Sequence, residues 1–125
     1  INAGSPYYGI RSVYDGRYRY IVNLTPEATF QNVETKSPLF KEWKRLAETD
    51  SHAKAMTTKY QHRPAIELYD VKNDPYCMKN RAEDAKQAST ISRLDKELKR
   101  WMKDCGDEGQ PTEMRAFEHM PGKRK

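Results

Sequence analysis

The sequence predicts an α+β domain: a small antiparallel sheet of about three or four strands packed against one long helix. Three observations carry that prediction. Two runs rich in aromatic and β-branched residues flank Asp15-Gly16, a hairpin turn signal. A third short strand, Ile66-Glu67-Leu68-Tyr69-Asp70-Val71, is stopped by Lys72-Asn73-Asp74-Pro75. Residues 84–104 then set apolar side chains at steps of three and four, which gives a helix a single apolar stripe.

In chain order, residues 1–6 form a polar lead-in containing Gly, Ser and Pro. Residues 7–14 and 17–24 are the two strands of the hairpin, and Asp15-Gly16 suits a type I′ turn. In the second strand Tyr18, Tyr20 and Val22 share one face, with Arg17, Arg19 and Ile21 on the other. Residues 30–36 read as an irregular surface loop. Ser37-Pro38 opens a helix, with Ser37 as N-cap and Pro38 at the first helical position. Leu39, Phe40, Trp43, Leu46 and Ala47 follow at helical spacing. Residues 51–60 predict a second short helix with Ala53, Met56 and Tyr60 inward. Pro64 then biases Arg63 toward extended geometry. In the strand that follows, Ile66 and Leu68 point one way and Glu67, Tyr69 and Val71 the other, so one face is expected to be the better buried. Along the long helix the stripe is Ile91, Leu94, Leu98, Trp101, Met102 and Cys105, read as core packing against the sheet. Gly106 is placed to stop that helix. Residues 110–125, with Pro111, Pro121 and a Gly-Lys-Arg-Lys end, read as an extended basic tail, leaving 1–109 as the folded unit.

The composition is polar for a chain of 125 residues, with 36% hydrophobic and 33% charged residues and a mean hydropathy of -1.06. The core must therefore be thin, which suggests a piece that leans on a larger body. An excess of 23 Lys and Arg over 18 Asp and Glu gives a formal charge of +5. That charge suits anionic partners or a solvated basic surface, without choosing between them. Cys77 and Cys105 stand in no metal or redox spacing, so pairing and free thiols both remain open. No signal peptide appears at Ile1, and no apolar run reaches the ~18 residues needed to span a membrane.

The central stretch also carries a resemblance. Leu68-Tyr69-Asp70-Val71, Asn73-Asp74-Pro75 and Asn80 resemble the C-terminal signature of the sulfatase family. Tyr7-Tyr8-Gly9-Ile10-Arg11-Ser12-Val13, Tyr20-Ile21-Val22-Asn23-Leu24, Ser37-Pro38-Leu39-Phe40 and the run from Leu98 through Trp101 to Gly109 extend it. The pattern is similar to that of the sulfamidase (N-sulfoglucosamine sulfohydrolase) and heparan-type branch. Cys77 departs from it, where a Glu is common, as does Arg81, where an apolar residue usually follows the Asn. The resemblance implies the C-terminal subdomain of an alkaline-phosphatase-like sulfatase, packed on an N-terminal catalytic domain and exported from the cytoplasm. It also implies a sulfated or N-sulfated sugar as substrate, with calcium and a formylglycine nucleophile in the catalytic domain.

That nucleophile is made from Cys or Ser in a Cys-x-Pro-x-Arg type motif. Cys77 is followed by Met78-Lys79-Asn80-Arg81 and Cys105 by Gly106-Asp107-Glu108-Gly109, so neither fits. The chain alone is expected to be inactive and to carry no metal site or cofactor. His52, His62 and His119 are scattered without ligand spacing and read as surface residues. Asp70, Asp74 and Glu83 read as turn and helix-start carboxylates. Asn23-Leu24-Thr25 is formally a glycosylation sequon, made a poor one by Pro26. The candidates for substrate contact lie at the start of the hairpin, Tyr8 and Arg11, because an Arg on a strand can hold sulfate or carboxylate bidentately. The competing account of Arg11 is an ion pair at a domain junction.

Two other classes remain. Arg17-Tyr18-Arg19-Tyr20 interleaves cations and aromatics, so a small module binding nucleic acid or another polyanion is the alternative function; it requires both rings exposed on one face. A free-standing interaction domain is the third.

Overall fold

The computed structural model describes residues 8–115 and residue 118. Tyr7, the lead-in, His119 and most of the expected tail lie outside the described residues. Three strands, β1 (Ile10–Tyr14), β2 (Tyr18–Asn23) and β3 (Ile66–Asp70), form an antiparallel sheet in the order β1-β2-β3. Helices α1 (Pro38–Leu46) and α2 (Ser51–Gln61) occupy the connection between β2 and β3. Helix α3 (Ala88–Asp104) follows, and a short helix α4 (Gln110–Met114) comes after it. The fold is α+β, as the periodicities predict.

Register follows from the hairpin. Tyr14 faces Arg19 across β1 and β2, and Tyr20 faces Leu68 across β2 and β3. The turn is not type I′, because Gly16 carries a positive φ of 95° and Asp15 does not. The Asp15 carboxylate instead accepts the backbone N–H groups of Arg17 and Tyr18, at 2.9 and 2.7 Å. Asp15 thus closes the turn with its side chain, and only glycine bears the left-handed conformation.

No fourth strand is present among the described residues, yet the outer edge of β3 is not bare. Asn80 accepts the Leu68 N–H at 2.9 Å and donates to the Ile66 carbonyl at 3.2 Å. Arg81 N–H bonds the Leu68 carbonyl at 2.8 Å. Two residues thereby satisfy the edge that a further strand would cover.

The sheet is packed on both faces. On one, Tyr20, Leu68, Leu94 and Leu98 form the core beneath α3, with Val13, Val22, Ile91 and Met102 around it. On the other, Tyr8, Ile21, Phe30 and Tyr69 are buried, together with Phe40 of α1 and Ala53 of α2. This corrects the one-faced expectation for β3, in which Glu67, Leu68, Tyr69 and Asp70 are all buried and Ile66 is half exposed. It also corrects the loop expected at residues 30–36. Phe30 is buried, its ring edge-on to Tyr8 and Tyr60 at 5.1 and 5.9 Å, and Glu34–Lys36 form a 3-10 turn.

The helix ends obey local rules. Ser37 accepts the Phe40 N–H at 3.1 Å, and Asp50 accepts the Ala53 N–H at 2.7 Å. Asp84 caps a 3-10 turn, Ala85–Gln87, which leads into α3. At the far end Gly106 N–H bonds the Lys103 carbonyl and Asp107 N–H the Met102 carbonyl, a Schellman motif with Gly106 at φ +73°. Trp101 and Cys105, on the flank of the expected stripe, stay exposed. The extended tail is likewise corrected at its start, since Gln110–Met114 is helical.

Candidate functional site

Arg11 and Tyr8 lie on opposite faces of the sheet. Arg11 pairs with Val22 in β2, on the side covered by α3. Its guanidinium grips Asp107 through Nε and through Nη2 (3.2 Å), and it reaches Glu113 at 3.3 Å. A contact to the Ile10 carbonyl and a second one to Glu113 complete five hydrogen bonds, as many as the group has N–H donors. The Asp107 carboxyl is held below its ordinary value, first by Arg11 and then by the Gly109 N–H. This arrangement ties β1 to α4 and to the turn before it. Arg11→Ala is therefore expected to lower the melting temperature, because it leaves two neighbouring carboxylates without their cation. An unchanged melting temperature would mean that this ion-pair cluster does not tie β1 to α4.

Tyr8 packs inside the other face, 6% exposed and edge-on to Phe30, and burial pushes its phenol up. Its neighbourhood holds a polar cluster that sequence reasoning did not find. Glu67, 3% exposed, accepts from Arg63 Nε at 2.9 Å, from Asn23 Nδ2 at 2.7 Å and from the Tyr69 hydroxyl. Burial alone would raise the Glu67 carboxyl, but these three donors outweigh it and hold it below its ordinary value. The available signal was an acidic residue between two aliphatic ones, Ile66 and Leu68, within a strand. Asn23 is 2% exposed and spends its amide on Glu67 and the Pro64 carbonyl, so the sequon is folded inward.

Above this cluster opens a groove of about 340 Å³ between β2, β3, α1, α2 and the loop at residues 76–78. Tyr69 and Ile21 form its floor, and Trp43, Tyr60 and Tyr76 stand around it. Lys59 crosses one side, its ammonium donating to the Cys77 and Met78 carbonyls at 2.7 Å each and lying 5.3 Å from the Tyr69 ring centroid. Arg19 and Arg63 also line the groove, and Glu67 is the single carboxylate that lines it among the described residues.

The other candidates resolve locally. Asp70 is buried against Arg17 at 2.9 Å and Asn73 at 2.9 Å, and Arg17 with Asn73 holds its carboxyl at about 2. Asp74 accepts the N–H groups of Met78 and Lys79, and Glu83 is exposed. His52 and His62 are exposed. Tyr20 is 1% exposed, so the Tyr18–Tyr20 pair does not form the open stacking platform that the nucleic-acid alternative requires. Both cysteines are free. Cys77 sits in a loop at φ +53°, and the Cys105 thiol meets the Met102 carbonyl at the end of α3. Among the described residues no three His, Cys, Asp or Glu gather as metal ligands. No helix among them is long and apolar enough to cross a membrane.

No family model matches the sequence. A curated relative, the ulvan-active sulfatase of Formosa agariphila, is 33% identical over 108 residues, or 83% of this chain. The chain spans 18% of that relative's length. Over most of its length this chain is thus similar to one stretch of a sulfatase, which supports its placement in the sulfatase family.

Proposed function

We propose that this chain is the C-terminal part of an exported sulfatase that hydrolyses sulfate esters or sulfamates on sugars. It forms one wall of the catalytic cleft and the domain junction, while the nucleophile and calcium belong to the N-terminal catalytic domain. The observation that carries this reading is the 108-residue similarity to a sulfatase of which the chain spans only 18%. Two features of the surface support a junction. Leu39, Trp43 and Leu46 run along α1 at 78%, 37% and 51% exposure, an apolar stripe that the described residues leave uncovered. The groove shares Trp43 with that stripe, so a wall and a junction would adjoin.

Release of inorganic sulfate tests the proposal, with ulvan and an N-sulfated heparan oligosaccharide as the two substrates. The complete polypeptide is expected to release sulfate from one of them, and the 125-residue chain from neither. Turnover by the chain alone would overturn the assignment, and so would a complete polypeptide inert on sulfated sugars of both kinds.

A further inference from the structure

We propose that the groove over Tyr69 binds an anionic sugar ring, a sulfated or carboxylated saccharide unit, with aromatic rings as stacking surfaces and Arg19, Lys59 and Arg63 supplying positive charge. The inference names a ligand for a surface of the proposed sulfatase part, and its saccharide class rests on that reading. The charge comes from the groove itself. Among the described residues three cations line it against one carboxylate, and Glu67 is buried and already holds Arg63, Asn23 and Tyr69, so no free acid of theirs faces an incoming anion. The groove is therefore electropositive in a site walled by low-dielectric rings, where such charges act at greater strength.

Shape points the same way. A volume of about 340 Å³ lies at the small end of ligand pockets, which run from roughly 300 to 1,000 Å³. Trp43 at 37%, Tyr60 at 36% and Tyr76 at 84% exposure leave ring surface uncovered beside it. Aromatic rings of this kind suit ligands that pair an apolar ring face with polar edges, as a pyranose does. The walls are set before any ligand arrives. Lys59 is pinned by two loop carbonyls, Ser37 and Asp50 cap the helices that bear Trp43 and Tyr60, and the Phe40 ring packs against both of those rings at 6.1 and 5.5 Å. A pocket so held loses little further freedom on binding.

Calorimetric titration of the 125-residue chain tests this with four probes: a trisulfated heparin disaccharide, the same disaccharide desulfated, inorganic sulfate, and a short single-stranded DNA. The expected result is saturable one-to-one binding of the sulfated disaccharide, at least tenfold tighter than its desulfated form. Inorganic sulfate alone should not compete at millimolar concentration. Equal binding of the sulfated and desulfated disaccharides would assign recognition to the carboxylate, and binding stronger for DNA would replace the saccharide class with a nucleic acid. Arg19→Ala and Tyr76→Ala, both at exposed side chains, should each weaken binding at least fivefold with an unchanged melting temperature. No saturable binding by the folded chain, or binding indifferent to both substitutions, overturns the proposal. These outcomes are separate from sulfate release. A complete polypeptide that releases no sulfate ends the sulfatase reading and leaves a measured binding site in place.

Discussion

Glu67→Ala is expected to destabilise the chain by about 3–5 kcal/mol, the usual cost of stranding the partners of a buried ion pair. Arg63, three-quarters covered, loses its carboxylate, and the buried Asn23 amide and Tyr69 hydroxyl lose an acceptor in the same step. Chemical denaturation of wild type and variant measures the difference; a loss below ~1 kcal/mol would mean the cluster contributes little beyond an ordinary hydrogen bond. The same cluster predicts a pH window. Glu67 is held below its ordinary value in the fold, so its stabilisation is full above the unfolded carboxyl pKa of about 4.3 and is lost as pH falls through the lower folded value. Asp15 and Asp70, each lowered to about 2 by an arginine, extend that acid limb in the same direction. Tyr69 is shifted upward, by burial first and then by Glu67, so its contribution is full below about 10 and fades as pH rises through the folded value. Melting temperature plotted against pH should be flat between these limits, and Glu67→Gln should make the acid limb shallower.

Leu68→Ala is the second large effect, expected to cost about 2–5 kcal/mol. Leu68 is 0% exposed and sits among Tyr20, Leu94 and Leu98, so truncation removes apolar contact from strand and helix together and leaves a cavity at the centre of the α3 face. In a domain whose whole stability is of the order of 5–15 kcal/mol, that is a large share. Leu39→Ala, on the exposed stripe of α1, should change the stability of the chain alone by no more than about 0.5 kcal/mol. A comparable loss at both positions would contradict the division into a core face and an uncovered face.

Most elements could be read before any coordinates because their signals are local. Ser37-Pro38, the Asn-Asp-Pro stop after β3 and Gly106 act through their own backbone neighbours, and each does in the structure what its residue type dictates. The three-four spacing of Ile91, Leu94 and Leu98 likewise needs only a helix and a surface to cover. The misreadings have a different origin. Phe30 looked like a loop residue because nothing nearby repeats with it; its partners, Tyr8 and Tyr60, come from distant segments. The alternation in residues 66–71 predicts one buried face because a strand cannot signal that helices will cover both of its sides.

The candidate site was less legible than the fold. Arg11 was recognised as a residue that holds carboxylates, but Asp107 and Glu113 lie nearly the whole chain away and give no sequence hint that they converge on it. The groove is harder still, since Arg19, Lys59 and Tyr69 stand on three separate elements.

What the sequence determined by itself was the three strands and three longer helices, most of their caps and stops, and the resemblance that the sulfatase similarity supports. Those depend on interactions between residues a few positions apart, where spacing and side-chain chemistry decide the outcome. Only the tertiary structure decided which charges are spent and which remain available: Arg11 is consumed by two carboxylates, Glu67 is buried and neutralised, and Arg19 and Lys59 are left lining a groove. The physical reason is that a charge acquires its role from its partners and its burial, and the packing of distant segments sets both.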